Sequence, residues 1–481
     1  MDSGEITPFT HRRSVTDRYF WFFNQVLKGL EGEFPKARIG TLVYSDTMMP
    51  PVKVKPDPRI VGCVALIHLC RIHSPRNPVC PESHTYRWIC RQWHEAGVRV
   101  DNSGYWFNLA DPGLPFMMIH RIRDEIPLAH DFNHLGFARA CATQWANEGP
   151  SLYLAAKLMW NREADVDALL KEFFAKFYGP AAEPMERYTM LINDALRDAD
   201  HHTGGSWDLL HIYDDPVRKA ARKALRKARR RAGSGLHGTR VRVASEGWDY
   251  FVAFAEVLER RRRHDYAGSK AALERARGLV GRLSTAYEIP MLRTHAKSVS
   301  AARFLERFCA QATDEASTRV TGGNALVAGL NETWDFLQDP QALGETMGLH
   351  REEVKGGNWR KVSTSSSWGN QGLRYYFGEA WYRQEVEVPR KHAGKKIMLW
   401  FASVDDAAKV WVNGRLLGIS PGAVFDIDAH GGSTRPFEFD ATEALHPGAR
   451  NVVTVRVRRN KVNELGTGGI MGPVMFYTPA D

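Results

Sequence analysis

The sequence predicts a multidomain chain: part of a (β/α)8 barrel, then a helical segment, then an antiparallel β-sandwich. Three changes of texture predict it. Residues 1–180 alternate short apolar runs with helical stretches, residues 181–320 are helix-patterned throughout, and residues 321–481 turn to strand-length alternation. The 481 residues leave room for roughly three domains of about 150 residues each. An apolar fraction of 43% and a charged fraction of 25% exclude a mainly disordered chain.

In the first block, Ser14-Val-Thr-Asp17 reads as a capping box, and Tyr19, Phe20, Phe22, Phe23, Val26, Leu27 and Leu30 follow at helical spacing. Strand-like runs come at 39–44, 60–67, 98–100 and 135–140, with helical stretches at 82–95, 115–130, 150–160 and 165–178. Strand and helix in alternation, with short connections, read as parallel βα units. About four such units are half of a closed barrel, which has eight strands in about 250 residues. The runs are apolar on both faces, 60–67 most clearly, so they expect cover on both sides. Residues 1–180 are therefore not expected to stand as an isolated monomer. A homodimer, a separately encoded barrel half, or the helical segment would supply the cover.

The middle block is rich in Arg, Lys, Ala and Leu. Residues 218–231 hold nine basic residues and no acid, with a second basic run at 260–263, inside a formal net charge of +10. No aromatic interleaves the first run and no nucleic-acid-binding signature accompanies it, so a solvated helix face is expected rather than nucleic acid. The six cysteines form no C-x-x-C pair. Cys80/His84 and Cys90/His94 would share helix faces as i, i+4 pairs, but the plainer expectation is buried free thiols with surface histidines, and no metal or cofactor. No stretch approaches the roughly 18 uninterrupted apolar residues of a membrane span. The first residues lack the apolar core of a secretory leader, which as it stands points to the cytoplasm.

In the last block, 381–388, 396–401, 408–412 and 451–457 alternate or run apolar over strand lengths, and Asn413-Gly414 is a strong two-residue hairpin signal. Regular short strands of this kind point to a sandwich. The series Trp381-Tyr-Arg, Phe401-Ala-Ser-Val-Asp-Asp-Ala-Ala408, Val410-Trp-Val-Asn-Gly-Arg415, Phe437-Glu-Phe-Asp440, Pro447-Gly-Ala-Arg-Asn451 and Gly468-Gly-Ile-Met-Gly-Pro-Val474 closely resembles the jelly-roll, galactose-binding-like "sugar-binding" domain of family 2 glycoside hydrolases. The resemblance implies a scaffold packed against a catalytic barrel. Trp381, Trp400 and Trp411 are expected in the core rather than stacked on sugar, and the acidic pair after Val404 is expected to bond neighbouring backbone amides.

Asp17-Arg-Tyr-Phe20, Ile39 to Tyr44, Cys80-Pro-Glu82, Gly149-Pro-Ser-Leu-Tyr153, Ala155-Ala-Lys-Leu-Met-Trp160, Asp165-Val-Asp-Ala-Leu169 and Phe177-Tyr-Gly-Pro-Ala-Ala182 resemble the later half of the DUF4838 barrel family, which is related to family 67 α-glucuronidases. That resemblance implies export if the true N-terminus lies upstream. The sequence departs from it in two ways: the front half of the barrel is not in the chain, and the eighth-strand end reads Arg139-Ala-Cys-Ala-Thr-Gln-Trp145 where a Glu is expected.

Glycosidic cleavage usually takes two carboxylates, about 5–5.5 Å apart for retention or 6.5–9.5 Å for inversion. Barrel enzymes carry them at the C-terminal ends of strands. Those positions offer Asp46, then His68 and Arg71, then Asp101 and Asn102, then Trp145 and Glu148. Asp46 and Asp101 are the natural catalytic pair. Tyr105, Trp106 and Trp145 would stack on a pyranose, and Arg71 would pair with a uronate carboxylate. Each Asp also reads as a helix cap or turn residue, and Glu148 as a first-turn residue. Phosphate-loop, dinucleotide, zincin and serine-hydrolase motifs are missing. The expectation is a glycoside-hydrolase-like protein acting on carbohydrate, uronic-acid-containing or related glycans, incomplete without the front half of its barrel. The rival is a non-catalytic carbohydrate-binding or assembly module.

Overall fold

The computed structural model describes residues 2–7, 13–108, 113–132, 134–139, 145–202, 208–285, 305–353, 357–421, 435–460 and 467–480. The chain divides into two compact units, one of Met1–Asp249 with Arg282–Ser300, the other of Tyr250–Gly281 with Ala301–Asp481. No helix among the described residues is long and apolar enough to cross a membrane.

The first unit opens with α1 (Thr16–Leu30), β1 (Ile39–Val43), β2 (Ile60–Val64), α2 (Pro81–Glu95), β3 (Arg99–Gly104), α3 (Ile119–Asp131) and β4 (Phe137–Arg139). The four strands form one parallel sheet in the order β1-β2-β3-β4, with α2 and α3 crossing over between β2, β3 and β4, while residues 44–59 join β1 to β2 without an α-helix. In β2, which is apolar on both faces, burial alternates. Ile60, Gly62 and Val64 are buried while Val61 and Cys63 are half-buried. The buried set packs with Phe20 and Leu27 of α1, Ile89 and Trp93 of α2, and Leu128 of α3, so this face of the sheet is the one the helices cover. Leu42, on the other face, is 55% exposed.

The expected capping box is not formed. Val15 is the N-cap of α1, and the Asp17 carboxylate instead accepts the backbone N–H groups of Val52, Lys53 and Val54 at 2.8–3.3 Å, tying the β1–β2 connection to the helix.

Helices α4 (Trp145–Trp160), α5 (Val166–Tyr178), α6 (Ala182–Arg197), α7 (Leu209–Ile212) and α8 (Asp215–Ala232) follow, then α9 (Leu236–Arg262), which runs into the second unit. The basic run lies on α8. Ala221, Ala224, Leu225, Ala228 and Ala232 are its buried face, and α8 packs against α6. Lys227 and Arg231 reach Glu183, and Arg229 reaches Asp249, as exposed pairs that contribute little.

The second unit contains α10 (Tyr266–Thr285), α11 (Gln311–Thr318) and strands β5 (Ala325–Gly329), β6 (Thr333–Asp339), β7 (Arg360–Ser363), β8 (Gly378–Glu387), β9 (Met398–Phe401), β10 (Val404–Asp405), β11 (Ala407–Val412), β12 (Arg415–Ile419), β13 (Phe437–Asp440), β14 (Arg450–Arg459), β15 (Gly469–Ile470) and β16 (Val474–Thr478). A six-stranded antiparallel sheet, β12-β11-β14-β8-β6-β7, shares a core with a four-stranded one, β13-β9-β16-β5. Phe336, Tyr382, Val410, Val412 and Val455 from the first meet Leu399, Phe401, Phe437 and Phe476 from the second. Asn413 (φ 49) and Gly414 (φ 76) both take positive φ between β11 and β12, as a primed hairpin turn demands.

Alternation turns Trp411 away from that core. It lies on the outer face with Leu349 and Trp381, stacked between Trp381 (5.4 Å) and His350 (5.4 Å), and is 3% exposed. Trp400 is buried on the outer face of the other sheet among Tyr266, Ala312, Ala316, Met475 and Tyr477. All three tryptophans are core residues. Of the acidic pair, Asp406 accepts the Asn460 N–H at 2.8 Å, and Asp405 accepts the Thr467 hydroxyl.

Two outcomes are expected. Trp411→Ala should destabilise the second unit by about 3–5 kcal/mol, as for other buried large aromatics; a thermal midpoint within a degree of wild type would refute its core role. Burial, then the neighbouring Asp405 charge, pushes the Asp406 carboxyl up to about 7, whereas an unfolded aspartate titrates near 3.9. Between roughly pH 4 and 7 the folded state binds more protons, so this group's contribution to stability falls as pH rises through that window. Asp406→Asn should therefore gain on wild type in melting temperature from pH 5 to pH 8, and an unchanged gap would refute the shift.

Candidate functional site

Beyond β1 the chain turns through Ser45–Thr47, with Ser45 at φ 48 and its hydroxyl donating to Asp46 Oδ1 at 3.2 Å. Asp46 is half-buried. His68, in the 65–80 loop after β2, is buried and stacks on Tyr44, two residues before Asp46 (centroids 5.7 Å, 30°). The exits of β1 and β2 thus bring two of the expected residues into one neighbourhood.

Asp101 is placed differently from the sequence expectation. β3 does not end there but runs on to Gly104, because Asn102 and Ser103 continue the pairing, with β4 opposite Asn102, Ser103 and Gly104. Asp101 sits mid-strand, in register with Cys63, which is in register with Leu42. Parallel register puts these three side chains on one face, the face away from α1, α2 and α3. Burial and a hydrogen bond to Asp101 push the Cys63 thiol up to about 12, so it stays protonated. Asp101 Oδ1 is shielded and has no hydrogen-bond partner among the described residues. Tyr105, just past the strand, is half-buried with its ring 6.5 Å from Phe107.

Asn102 and Trp106 do not join it. Strand alternation turns Asn102 to the helix side, where its amide donates to the Tyr86 hydroxyl. Tyr86 donates to Glu125 Oε1 (3.2 Å), and Trp106 Nε1–H to Glu125 Oε2 (2.9 Å). Arg121, one turn before Glu125 on α3, donates through Nε to Oε2 (2.7 Å) and through one terminal nitrogen to the carbonyls of Cys70 (2.7 Å) and His73 (3.0 Å). Asn102 and Trp106 are thus committed to a buried hydrogen-bond network, 1% and 2% exposed. Sequence reading missed Glu125 and Tyr86; their only signal was an i, i+4 Arg-Glu pair on α3. Arg71, 2% exposed, lies in the loop this network holds. Glu148 is fully buried in the first turn of α4. Trp145 opens α4, but its side chain, like residues 140–144, lies outside the described residues.

The cysteines also rearrange the expected pairs. Cys90 is in the sheet core, and His84 Nε2 lies 2.9 Å from Pro78 O. Cys80, the N-cap of α2, faces Cys70, His73 and His202 instead, and the four ligand-type atoms all lie within 4.8 Å of one another. These are the described residues able to hold a metal ion. The C-x-x-H spacing of Cys70 and His73 was visible in sequence; His202, far along the chain, was not.

Residues 6–190 match a family described as a domain of unknown function, DUF4838. Residues 360–465 match the sugar binding domain of glycosyl hydrolases family 2. The chain is 32% identical over 133 residues to a β-glucuronidase of Paenibacillus borealis, covering 27% of this chain and 21% of that protein. It is 28% identical over 155 residues to a β-galactosidase of Thermoanaerobacter pseudethanolicus, covering 31% and 19%. It thus spans about a fifth of the length of these relatives. A solved β-glucuronidase from Ruminococcus gnavus aligns over 33% of this chain and 30% of its own, at 20% identity and a TM-score of 0.28. The chain is glycoside hydrolase-like in these matches.

Glu125→Ala should cost the first unit about 3–5 kcal/mol, because it leaves the Arg121 charge buried and unpaired. Thermal unfolding monitored for this unit checks it, and a loss below about 1 kcal/mol, the scale of an ordinary surface pair, would refute the network's role.

Proposed function

We propose that this chain is the carbohydrate-handling part of a glycoside hydrolase-like protein, and that it takes part in hydrolysing O-glycosyl bonds of uronic-acid-containing or related glycans. The observation that carries the reading is the match of residues 360–465 to the family 2 sugar binding domain. It is supported by the name of the β-glucuronidase relative, which specifies a uronate. In this reading residues 1–180 are part of a (β/α)8 barrel of the family 67-related kind, residues 181–320 a helical domain, and residues 321–481 a galactose-binding-like jelly-roll scaffold. Asp46 and Asp101 are the catalytic pair, the first just beyond β1 and the second within β3, the two strands that flank β2. His68, Arg71, Tyr105, Trp145 and Glu148 remain the substrate-binding candidates, Arg71 for the uronate carboxylate. The face of the sheet away from α1, α2 and α3 then acquires its cover from a second copy or a separately encoded barrel half.

One observation favours a second reading, a non-catalytic carbohydrate-binding or assembly module. Asp101 lies within β3, whereas barrel enzymes carry catalytic groups at the C-terminal ends of strands.

The test is sedimentation of the purified chain alongside hydrolysis of aryl β-glucuronides and β-galactosides. Hydrolysis that falls about 100-fold or more in Asp101→Asn and in Asp46→Asn supports the enzyme. A folded, inactive protein that still binds glycans supports the module instead.

A further inference from the structure

Four side chains of the first unit converge without any part in the proposed sugar chemistry. Cys70 and His73 lie in the 65–80 loop, Cys80 at the start of α2, and His202 past the end of α6. Cys70, His73 and Cys80 are buried and His202 is half-buried. We propose that Cys70, His73, Cys80 and His202 form a structural zinc site.

The geometry is that of a ligand shell slightly wider than its metal-bound form. Cys70 Sγ lies 3.4 Å from His73 Nδ1, and Cys80 Sγ lies 3.5 Å from His202 Nδ1. In a tetrahedral site with Zn–S of about 2.3 Å and Zn–N of about 2.0–2.1 Å, the sulfur-to-nitrogen edge is about 3.5 Å. Both observed edges fit. The remaining ligand atoms, within 4.8 Å of one another, need only small side-chain movements to close.

The surroundings fit a bound metal as well. His73 Nε2–H donates to Ala199 O at 2.8 Å, which fixes the tautomer and leaves the Nδ1 lone pair for coordination. Histidine ligands of metals are held in this way by a carbonyl or carboxylate on the other ring nitrogen. The His73 backbone N–H donates to Cys70 Sγ at 3.3 Å, a bond that supports a thiolate. Ala199 and His202 belong to the same segment after α6, so one stretch supplies both a ligand and the group that orients another. Two thiolates balance the charge of Zn2+, so the complete site is neutral and suits burial. Four protein ligands with no open position indicate a structural rather than a catalytic metal, and two sulfur with two nitrogen donors favour zinc over hard cations.

Its role is to clip the 65–80 loop to the segment after α6. That loop carries His68 and Arg71, yet the site stands or falls on metal binding alone, whatever the sugar chemistry.

The test uses the full chain produced in zinc-supplemented medium without added chelator. The expected result is one zinc per chain by elemental analysis, with the Cys70 and Cys80 thiols protected from a thiol reagent until chelator is added. Replacement with Co2+ should give the intense visible bands of a tetrahedral site and a near-ultraviolet thiolate charge-transfer band. His202→Ala and the double variant Cys70→Ser/Cys80→Ser should lose the metal. Should these variants fail to fold, the cobalt spectrum of the wild-type chain decides alone. A chain free of zinc whose Co2+ spectrum is octahedral would overturn the proposal. So would a Cys70–Cys80 disulfide in a chain that takes up no metal after reduction.

Discussion

Burying the Arg121 guanidinium is tolerable only because Glu125, one turn further along α3, takes its Nε–H and lies 3.5 Å from a terminal nitrogen. The remaining geometry of the first unit is arranged around that pair. Glu125 also accepts from Tyr86 of α2 and from Trp106, so α2, α3 and the chain beyond β3 are tied to one carboxylate. Arg121 in turn reaches the carbonyls of Cys70 and His73, which gives an irregular loop two of the hydrogen bonds its buried backbone needs. The adjacent His120 fastens the same loop from the other side, its Nε2–H donating to Ile72 O at 2.8 Å and its backbone N–H donating to Asn193 of α6. A long loop with no regular structure is tied down by side-chain donors.

The second unit solves a different problem. A sandwich buries its inner faces by pairing two sheets, but here the outer faces are also partly covered: Trp381 and Trp411 under Leu349 and His350, and Trp400 under Tyr266 and α11. Trp381 Nε1–H is satisfied by Asp339 at 3.0 Å, as a buried indole requires. Indoles spent in this way give rigidity rather than sugar stacking, which agrees with a scaffold and moves sugar contact to other residues.

The parallel strands, the helices that follow β2, β3 and β4, and the Asn413-Gly414 hairpin were legible in sequence, because each rests on local periodicity or on backbone conformations that few residues adopt. What was not legible rests on tertiary position. Where β3 stops is decided by its pairing with β4, so Asp101 looked terminal and is internal. The face of each residue follows from that register, which separates Asp101 from Asn102. Ser14 and Asp17 have the residue types of a capping box, yet Asp17 finds three amides in a connection some 35 residues away, a contact no local pattern announces. The cysteine–histidine cluster shows the same limit: adjacent candidates could be paired by spacing, but His202 is brought in only by the packing of α6.

The face of the parallel sheet away from α1, α2 and α3 carries a row of unlike groups. Parallel sheets generally have both faces covered, and this one has helices on one side and Leu42, Cys63 and Asp101 in one register row on the other. The row is mixed in character, with an exposed leucine at the edge, a protonated thiol in the middle and beyond it a carboxylate oxygen with no partner among the described residues. A purely structural face would pair that oxygen or replace Asp101 with an apolar residue, since an unpaired buried acceptor costs about 1–3 kcal/mol. A face meant for bulk water would not carry Leu42 beside it. The combination suits a face that is partly covered, with a polar group opposite Asp101.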